Sequence, residues 1–346
     1  MPFALYPSSL QRSKCIVKPT LFIWTTILIG LLIIFNSAAT ALSFQNSPHL
    51  SIENLKKSME WFTAEPHPMG SKNQSKLAAD LKQTLNQFGL LTSEIKFKAT
   101  IPNTDSPQFG GLQKDAFLTK EVTGYNIVST IKGKSDCSVL IGGHYDTKYF
   151  KDFKFVGAND GGSSTVLMME LARVLKKNKF KENMLGSCNI NFIFFDGEES
   201  VLPNWIDGEN ILKLQDNTYG SRDFSNKLTK NKNGKYIFEK KPIHLILIID
   251  MVGHKNQELL ITKGSHSEYS KLFIQSSNKI KIKEANFLME DDHTPFLTLS
   301  IPLLHIIDWK NTEEWHTKKD TSDIISYEAI ANFGESIIQF LSSKRI

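Results

Sequence analysis

At 346 residues, with 40% hydrophobic and 22% charged side chains, the chain is long enough for one large domain with a substantial core, or two at most. The formal net charge of +5 is small, and the lysines are scattered among acids rather than gathered into a basic, aromatic-interleaved stripe, which argues against a nucleic-acid partner. Three cysteines in no CxxC or metal-ligand spacing argue against a thiolate zinc centre.

In chain order, Arg12, Lys14 and Lys18 precede an acid-free apolar run from Leu21 to Phe35, and small residues follow at Ser37, Ala38, Ala39, Thr40 and Ala41. A basic start, a short apolar core and a small-residue exit read residues 1–42 as a secretory signal peptide. The stretch Leu21–Leu42 is also nearly long enough to span a bilayer as an uncleaved anchor. Either way the domain formed by 43–346 is expected outside the cytoplasm, secreted or periplasmic, or tethered only through that segment. A cleaved signal removes Cys15 and leaves Cys137 and Cys188, for which one disulfide and two buried thiols both fit.

Leu77, Leu81, Leu85 and Phe88 recur at helical spacing, with Gly89 as a stop. From Ala99 to Lys120, Pro102, Pro107, Gly110 and Gly111 predict a loop or hairpin connection. Short β-branched or aromatic runs then alternate with helical stretches. The runs are Tyr125–Ile131, Ser138–Gly142, Asn189–Phe195 and His244–Asp250, and the clearest helix is Ser164–Lys177. Further strands are expected near Glu258–Thr262 and Leu303–Ile307, with helices near Glu268–Asn278 and Tyr327–Leu341. The lysine-rich Lys227–Lys241 reads as a solvent-exposed insertion. The alternation predicts an α/β fold: a single-domain, three-layer α/β/α arrangement around a central mixed, mostly parallel sheet.

In such sheets ligands bind at the carboxyl ends of the strands, and there this chain collects its acids. His144 and Asp146 follow one strand, the adjacent Glu198 and Glu199 a second, and Asp250 closes a third. Asp160 lies in the loop GANDGGSS, and His316 follows the strand at Leu304. Zinc in a catalytic role takes three N or O ligands and keeps one position open. Asp160, Glu199 and His316 supply that set. Glu198, beside a ligand, is placed to move protons.

The strings GGHYDTKYF, GAND, FFDGEES, YGSR, LIIDMVG, EDDHTPFL and EWHTKKD, in this order from Gly142 to Asp320, resemble the glutaminyl-peptide cyclotransferases, relatives of the zinc aminopeptidases of the M28 type. GYNIVSTIKG at Gly124–Gly133 and HPMGS at His67–Ser71 extend the likeness to roughly residues 50–346. The resemblance implies one zinc held by Asp160, Glu199 and His316, with Glu198 as general acid/base. It also implies an acid pair, Asp250 and Asp291, near the reacting amide. Trp205 and Trp315 would line the substrate pocket, and His305 would sit by the acid pair. His144 and Asp146 are left as possible second-metal or supporting residues. The implied substrates are peptides or proteins with an N-terminal glutamine, and a monomer is expected. The chain departs from the pattern at Gly143, where the animal enzymes have a cysteine, and at Glu290, where they carry glutamine. GANDGGSS is closer to the aminopeptidase version of its loop.

Two rival readings remain. In a two-zinc aminopeptidase, His144, Asp160, Glu199, Asp250 and His316 would hold two ions, Asp160 would bridge them and Glu198 would activate a water. A binding module that keeps the fold without catalysis would have no reason to retain buried acids.

Overall fold

The structure, a computed structural model, describes residues 49–104, 118–177 and 188–343, so the expected export segment 1–42 lies outside the described residues. All described residues belong to one compact unit, Leu42–Ile346. No helix among them is long and apolar enough to cross a membrane.

Two helices come first, α1 (Ile52–Phe62) and α2 (Lys72–Gln87). Each starts at a serine, Ser51 or Ser71, whose hydroxyl accepts the backbone N–H three residues on and so satisfies a donor the helix cannot. A long antiparallel ribbon follows, β1 (Leu91–Pro102) with β2 (Thr119–Ile131). The two strands are the arms of the expected hairpin, with Pro102 at the end of β1; residues 105–117, with Pro107, Gly110 and Gly111, lie outside the described residues. The centre of the sheet is β3 (Ser138–His144), β4 (Asn189–Phe195), β7 (Lys241–Asp250) and β10 (Leu303–Ile307), mutually parallel in the order β4-β3-β7-β10. The edge strands β8 (Leu259–Ile261) and β9 (Ile282–Glu284) lie beyond β10, and β8 runs antiparallel to it. The sheet is thus mixed with a parallel core, as the alternating runs predict.

The parallel strands are near-continuous apolar runs because both faces are covered. In β4, Ile190, Phe192 and Phe194 face the larger core, and Ile193 and Phe195 the smaller. The larger core is closed by α1, α2, α3 (Gly162–Lys177), α5 (Ser267–Gln275) and α6 (Tyr327–Leu341). The opposite layer is thinner, made by α4 (Tyr219–Asn226), the turn Thr294–Phe296 and a small hairpin, β5 (Thr229–Lys230) with β6 (Tyr236–Phe238). That hairpin is the lysine-rich insertion. Each fully buried Leu, Ile, Val or Phe contributes ~1.5–3 kcal/mol relative to exposure, so the sheet interior dominates stability and fixes the positions of its carboxyl-end loops.

Cys137 and Cys188 form a disulfide with a Cα–Cα separation of 4.7 Å. It ties together the amino-terminal starts of the parallel neighbours β3 and β4, at the end of the sheet opposite the acids. The two-thiol alternative does not hold in this structure.

Candidate functional site

Glu198 and Glu199 stand on a tight turn that leaves β4 through Gly197, whose φ of 74° favours a residue without Cβ. The turn is gripped from two sides. Asp146, just past β3, accepts the backbone N–H of Glu198 at 3.0 Å and of Glu199 at 3.3 Å. On the other side the N–H groups of Thr218 and Tyr219, at the start of α4, donate to the carbonyls of Glu198 and Gly197 at 2.8 and 2.7 Å. Asp146 therefore orients the acid pair rather than presenting itself to a metal, and the YGSR segment is the second jaw.

Asp160 lies immediately before α3. Its backbone N–H and that of Asn159 donate to the Asp320 carboxylate at 3.1 and 2.7 Å, which ties the loop to the segment carrying His316. Gly161 follows with φ 77°, and a Cβ there would come within 2.8 Å of the His144 ring. Close approach of loop and imidazole thus requires glycine at this position.

Two carboxylate–imidazole trios meet at Asp160. In the first, His316 Nε2 is 3.4 Å from Asp160 Oδ2 and 3.2 Å from Glu199 Oε2. In the second, His144 Nε2 is 3.3 Å from Asp160 Oδ1 and 3.2 Å from Asp250 Oδ1. Ligands ~2.0 Å from a tetrahedral ion are separated by about 3.3 Å, so both spacings suit a small divalent cation. The first trio has the further mark of buried oxygens without a hydrogen-bond partner, Asp160 Oδ2 and Glu199 Oε2. Buried carboxylate oxygens left unpaired are costly unless something cationic satisfies them. The oxygen–oxygen–imidazole donor set is one that zinc accepts, and these residues fit a metal.

The charges agree. Burial is the largest influence pushing Glu198 well above the usual carboxylate range, with Glu199, Asp291 and Asp292 adding repulsion against the opposing pull of His144. Burial likewise raises Glu199, Asp250 and Asp291. His316 moves the other way from what burial dictates, to about 9, because Glu199 and Asp160 surround it. Asp160 stays below its ordinary value despite burial, because the His144 and His316 imidazoles face its two oxygens. In the metal-free protein the site is an excess of buried acid that a cation would relieve.

Over this floor opens a cavity of ≈ 320 Å³ lined by Glu198 together with Trp205, Trp309 and Trp315. Trp315 stacks on His316 with ring centroids 3.8 Å apart, and Trp309 meets Trp315 edge-on at 4.9 Å. Phe150 and Phe155 pack edge-on against the His316 ring at 5.9 and 5.8 Å. The imidazole, whose own φ is 55°, is thereby fixed in orientation. Trp205 contributes an indole N–H that is buried without an acceptor.

Asp250 and Asp291 both line the cavity, but no hydrogen bond joins them among the described residues; each has its own imidazole. Asp250 accepts from His144, and Asp291 from His305 Nε2 at 2.8 Å. His305 Nδ1 takes the Thr262 hydroxyl at 2.9 Å, which fixes its neutral tautomer. His305 is fully buried and is not among the residues lining the cavity; it sits by the acid pair, where the resemblance puts it, and holds Asp291 from behind.

Sequence reasoning missed several residues here. Trp309 lies on an irregular loop without periodicity, and only its aromatic character could have drawn notice. Lys148, within HYDTKYF, is buried with its ammonium donating to Ser200 O at 2.6 Å and 3.9 Å from Glu199 Oε2. Asp320 ends the EWHTKKD string, and its role depends on a contact 160 residues away in sequence.

Beneath the end of β3, His67 packs edge-on against Phe62 at 4.5 Å and its Nδ1–H donates to Glu65 O at 2.8 Å. Burial lowers it to about 4, so the folded state holds it neutral while the unfolded chain protonates near 6.5. Its contribution is complete above pH 6.5 and is lost as pH falls through about 4. His67→Phe cannot protonate. The difference in thermal midpoint between wild type and variant is expected to move in the variant's favour as pH drops from about 6.5 to 4, and a pH-independent difference would contradict a neutral buried His67.

Fold and site together define an α/β/α enzyme class with an acidic, imidazole-bearing centre able to hold a divalent metal at the carboxyl edge of its sheet. The chain belongs to peptidase family M28, whose model matches residues 126–341. It is similar to the glutaminyl-peptide cyclotransferase of Bos taurus, 28% identical over 260 residues, covering 66% of this chain and 70% of that protein. The Dictyostelium discoideum glutaminyl-peptide cyclotransferase is 29% identical over 255 residues, covering 66% of this chain and 65% of that protein. Among solved structures, Fimbriiglobus ruber glutaminyl cyclase aligns with a TM-score of 0.68 at 21% identity, over 87% of this chain and 97% of that one. A leucine aminopeptidase precursor from Bacteroides thetaiotaomicron aligns with 0.67 at 19% identity, over 86% and 99%. Those structures share the fold.

Proposed function

We propose that this chain is a glutaminyl-peptide cyclotransferase, converting the N-terminal glutamine of peptides or proteins to pyroglutamate with release of ammonia. The observation that carries the reading is the juxtaposition of the Asp160–Glu199–His316 trio with one further acid, Glu198, at the floor of a tryptophan-walled cavity. The curated relatives similar to this chain bear that activity in their names.

A zinc ion at the trio would supply Lewis-acid polarisation of the glutamine side-chain carbonyl. The substrate's α-amine then attacks the side-chain amide carbon, forming the ring C–N bond as the amide C–N bond breaks. Glu198 takes the proton released by the attacking amine and delivers it to the departing nitrogen, which leaves as ammonia. Burial raises this carboxyl above its usual range and a cation at the trio would pull it back, a balance that suits a group that must both accept and return a proton. Asp250 and Asp291, each oriented by an imidazole, face the same cavity and offer acceptors for the amide N–H2. Trp205, Trp309 and Trp315 exclude water and grip a short side chain, and the Trp205 indole N–H remains free to donate to substrate. Excluding water matters because a water in the place of the amine would hydrolyse the amide instead.

A second reading, a two-zinc aminopeptidase, is favoured by one observation: Asp160 turns one oxygen toward each of His144 and His316, as a bridging carboxylate would. The chain's export is part of the proposal, supported by the apolar segment within residues 1–42 and by the Cys137–Cys188 disulfide, which persists in oxidising compartments.

The test uses glutaminyl and leucyl fluorogenic amides, with and without a coupling aminopeptidase, alongside zinc per chain. Signal from the glutaminyl amide only with a coupling enzyme that releases pyroglutamate, at one zinc per chain, is the expected result. Direct release from the leucyl amide with two zincs would replace this reading by the second.

A further inference from the structure

The cavity mouth carries a feature that the chemistry at its floor does not use. Six carboxylates line the cavity, and among the described residues no lysine or arginine does. Five of them belong to the trio, the proton shuttle and the acid pair. The sixth, Glu290, is exposed at the mouth, where the animal cyclotransferases that the sequence resembles carry a neutral glutamine. Its Oε1 accepts from Asn217 Nδ2 at 3.4 Å, and the buried Asn217 is in turn held by Gln215 and Thr218, so the carboxylate is steadied by a neutral partner. The nearby Arg222 feels the Glu290 charge but makes no ion pair with it among the described residues. Its guanidinium is taken up by the main-chain oxygens of Gln215 and Asn217, at 3.1 and 2.8 Å. Beside Glu290 on the same loop stand Phe287 and Leu288, 40% and 67% exposed, large apolar side chains left in solvent at the entrance to the cavity.

An apolar shelf ending in a fixed anion suits one type of side chain, a long aliphatic stem carrying a terminal cation. An N-terminal glutamine with its side chain at the cavity floor leaves the next residue of the peptide at this mouth. We propose that Glu290, with Phe287 and Leu288, forms a subsite selecting lysine or arginine immediately after the reacting glutamine, and disfavouring aspartate or glutamate there. The inference rests on the cyclotransferase reading and names its substrate class. The stem of the second residue lies across Phe287 and Leu288 while its cation faces Glu290. An acidic residue would instead meet that carboxylate and the acids behind it. Field lines from the acidic cavity also raise the encounter rate of cationic peptides.

The experiment measures kcat/KM for pyroglutamate formation on Gln-Ala, Gln-Lys and Gln-Glu peptides of equal length. Exposed charge pairs have modest effects, so the wild-type ratio of Gln-Lys to Gln-Glu is expected to be about five- to tenfold at low salt and to shrink toward one near ~0.5 M salt, where screening is short-ranged. Glu290→Gln is expected to lower the ratio, and Glu290→Lys to lower it further, each judged as a ratio within one protein so that a change in overall rate does not enter. If Gln-Ala is cyclised but wild type shows no preference between the charged peptides, or the ratio is the same in Glu290→Gln, the subsite is overturned. If none of the three peptides is cyclised, the parent reading itself has failed. The salt series on wild type tests the subsite independently of whether either variant folds.

Discussion

Replacing Glu198 by glutamine is expected to lower kcat for glutamine cyclisation by about 10²–10⁴-fold, the usual range for a general acid/base, while bound zinc stays at the wild-type level. The substitution keeps the side chain's size, and it leaves intact both the Asp146 carboxylate that accepts the turn's N–H groups and the N–H groups at the start of α4 that donate to its carbonyls. What it removes is a group that can accept a proton from one nitrogen and return it to another. The Asp160, Glu199 and His316 donors are untouched, so metal binding separates the two roles of the adjacent glutamates. Steady-state kinetics with metal analysis checks this, and a near-wild-type kcat would show that the proton travels by another group.

His316→Ala is expected to have the complementary outcome: zinc is lost on dialysis and cyclisation goes with it. Removing even an outer hydrogen-bond partner of a metal ligand costs about 10–100-fold in affinity, and removing the only nitrogen of the trio should cost more. The remaining pair, Asp160 and Glu199, would then be two buried carboxylates with no imidazole between them, an arrangement that favours protonation over ionisation. Trp315, Phe150 and Phe155 would lose the ring they pack around, so some loss of stability is expected as well. A thermal midpoint taken on metal-free protein separates that loss from the loss of metal. Retention of wild-type zinc by His316→Ala would place the ion elsewhere, with the His144–Asp160–Asp250 cluster the first place to look.

Much of this was legible because the sheet writes itself plainly. Runs such as Asn189–Phe195 and Leu303–Ile307 are buried along their whole length, and strands covered on both faces need unbroken apolar sequence. The acids at their carboxyl ends stand out against those runs, and the ordered strings from GGHYDTKYF to EWHTKKD gave them assignments. Elements with weaker local signals were harder to see. Helix α1 packs Leu55, Met59 and Phe62 inward but is short and mixed with polar residues, and β1 alternates only loosely because half of it faces solvent. Most side-chain partnerships across the fold were not legible: Asp146 holding the Glu198 turn and Asp320 holding the Asp160 loop join residues 52 and 160 positions apart, and only the place of His305 beside Asp291 was implied by the ordered strings. Trp309 became notable only once the cavity placed it on its wall, and Glu290, already a departure from the family pattern, gained a setting only when the cavity placed it on the rim.

The most direct test of the central claim is the rate of pyroglutamate formation as a function of zinc bound per chain, from exhaustively chelated protein through stepwise restoration. A rate that vanishes in the metal-free chain and rises in proportion to zinc up to one ion is the result this account predicts. Full cyclisation by metal-free protein would contradict it.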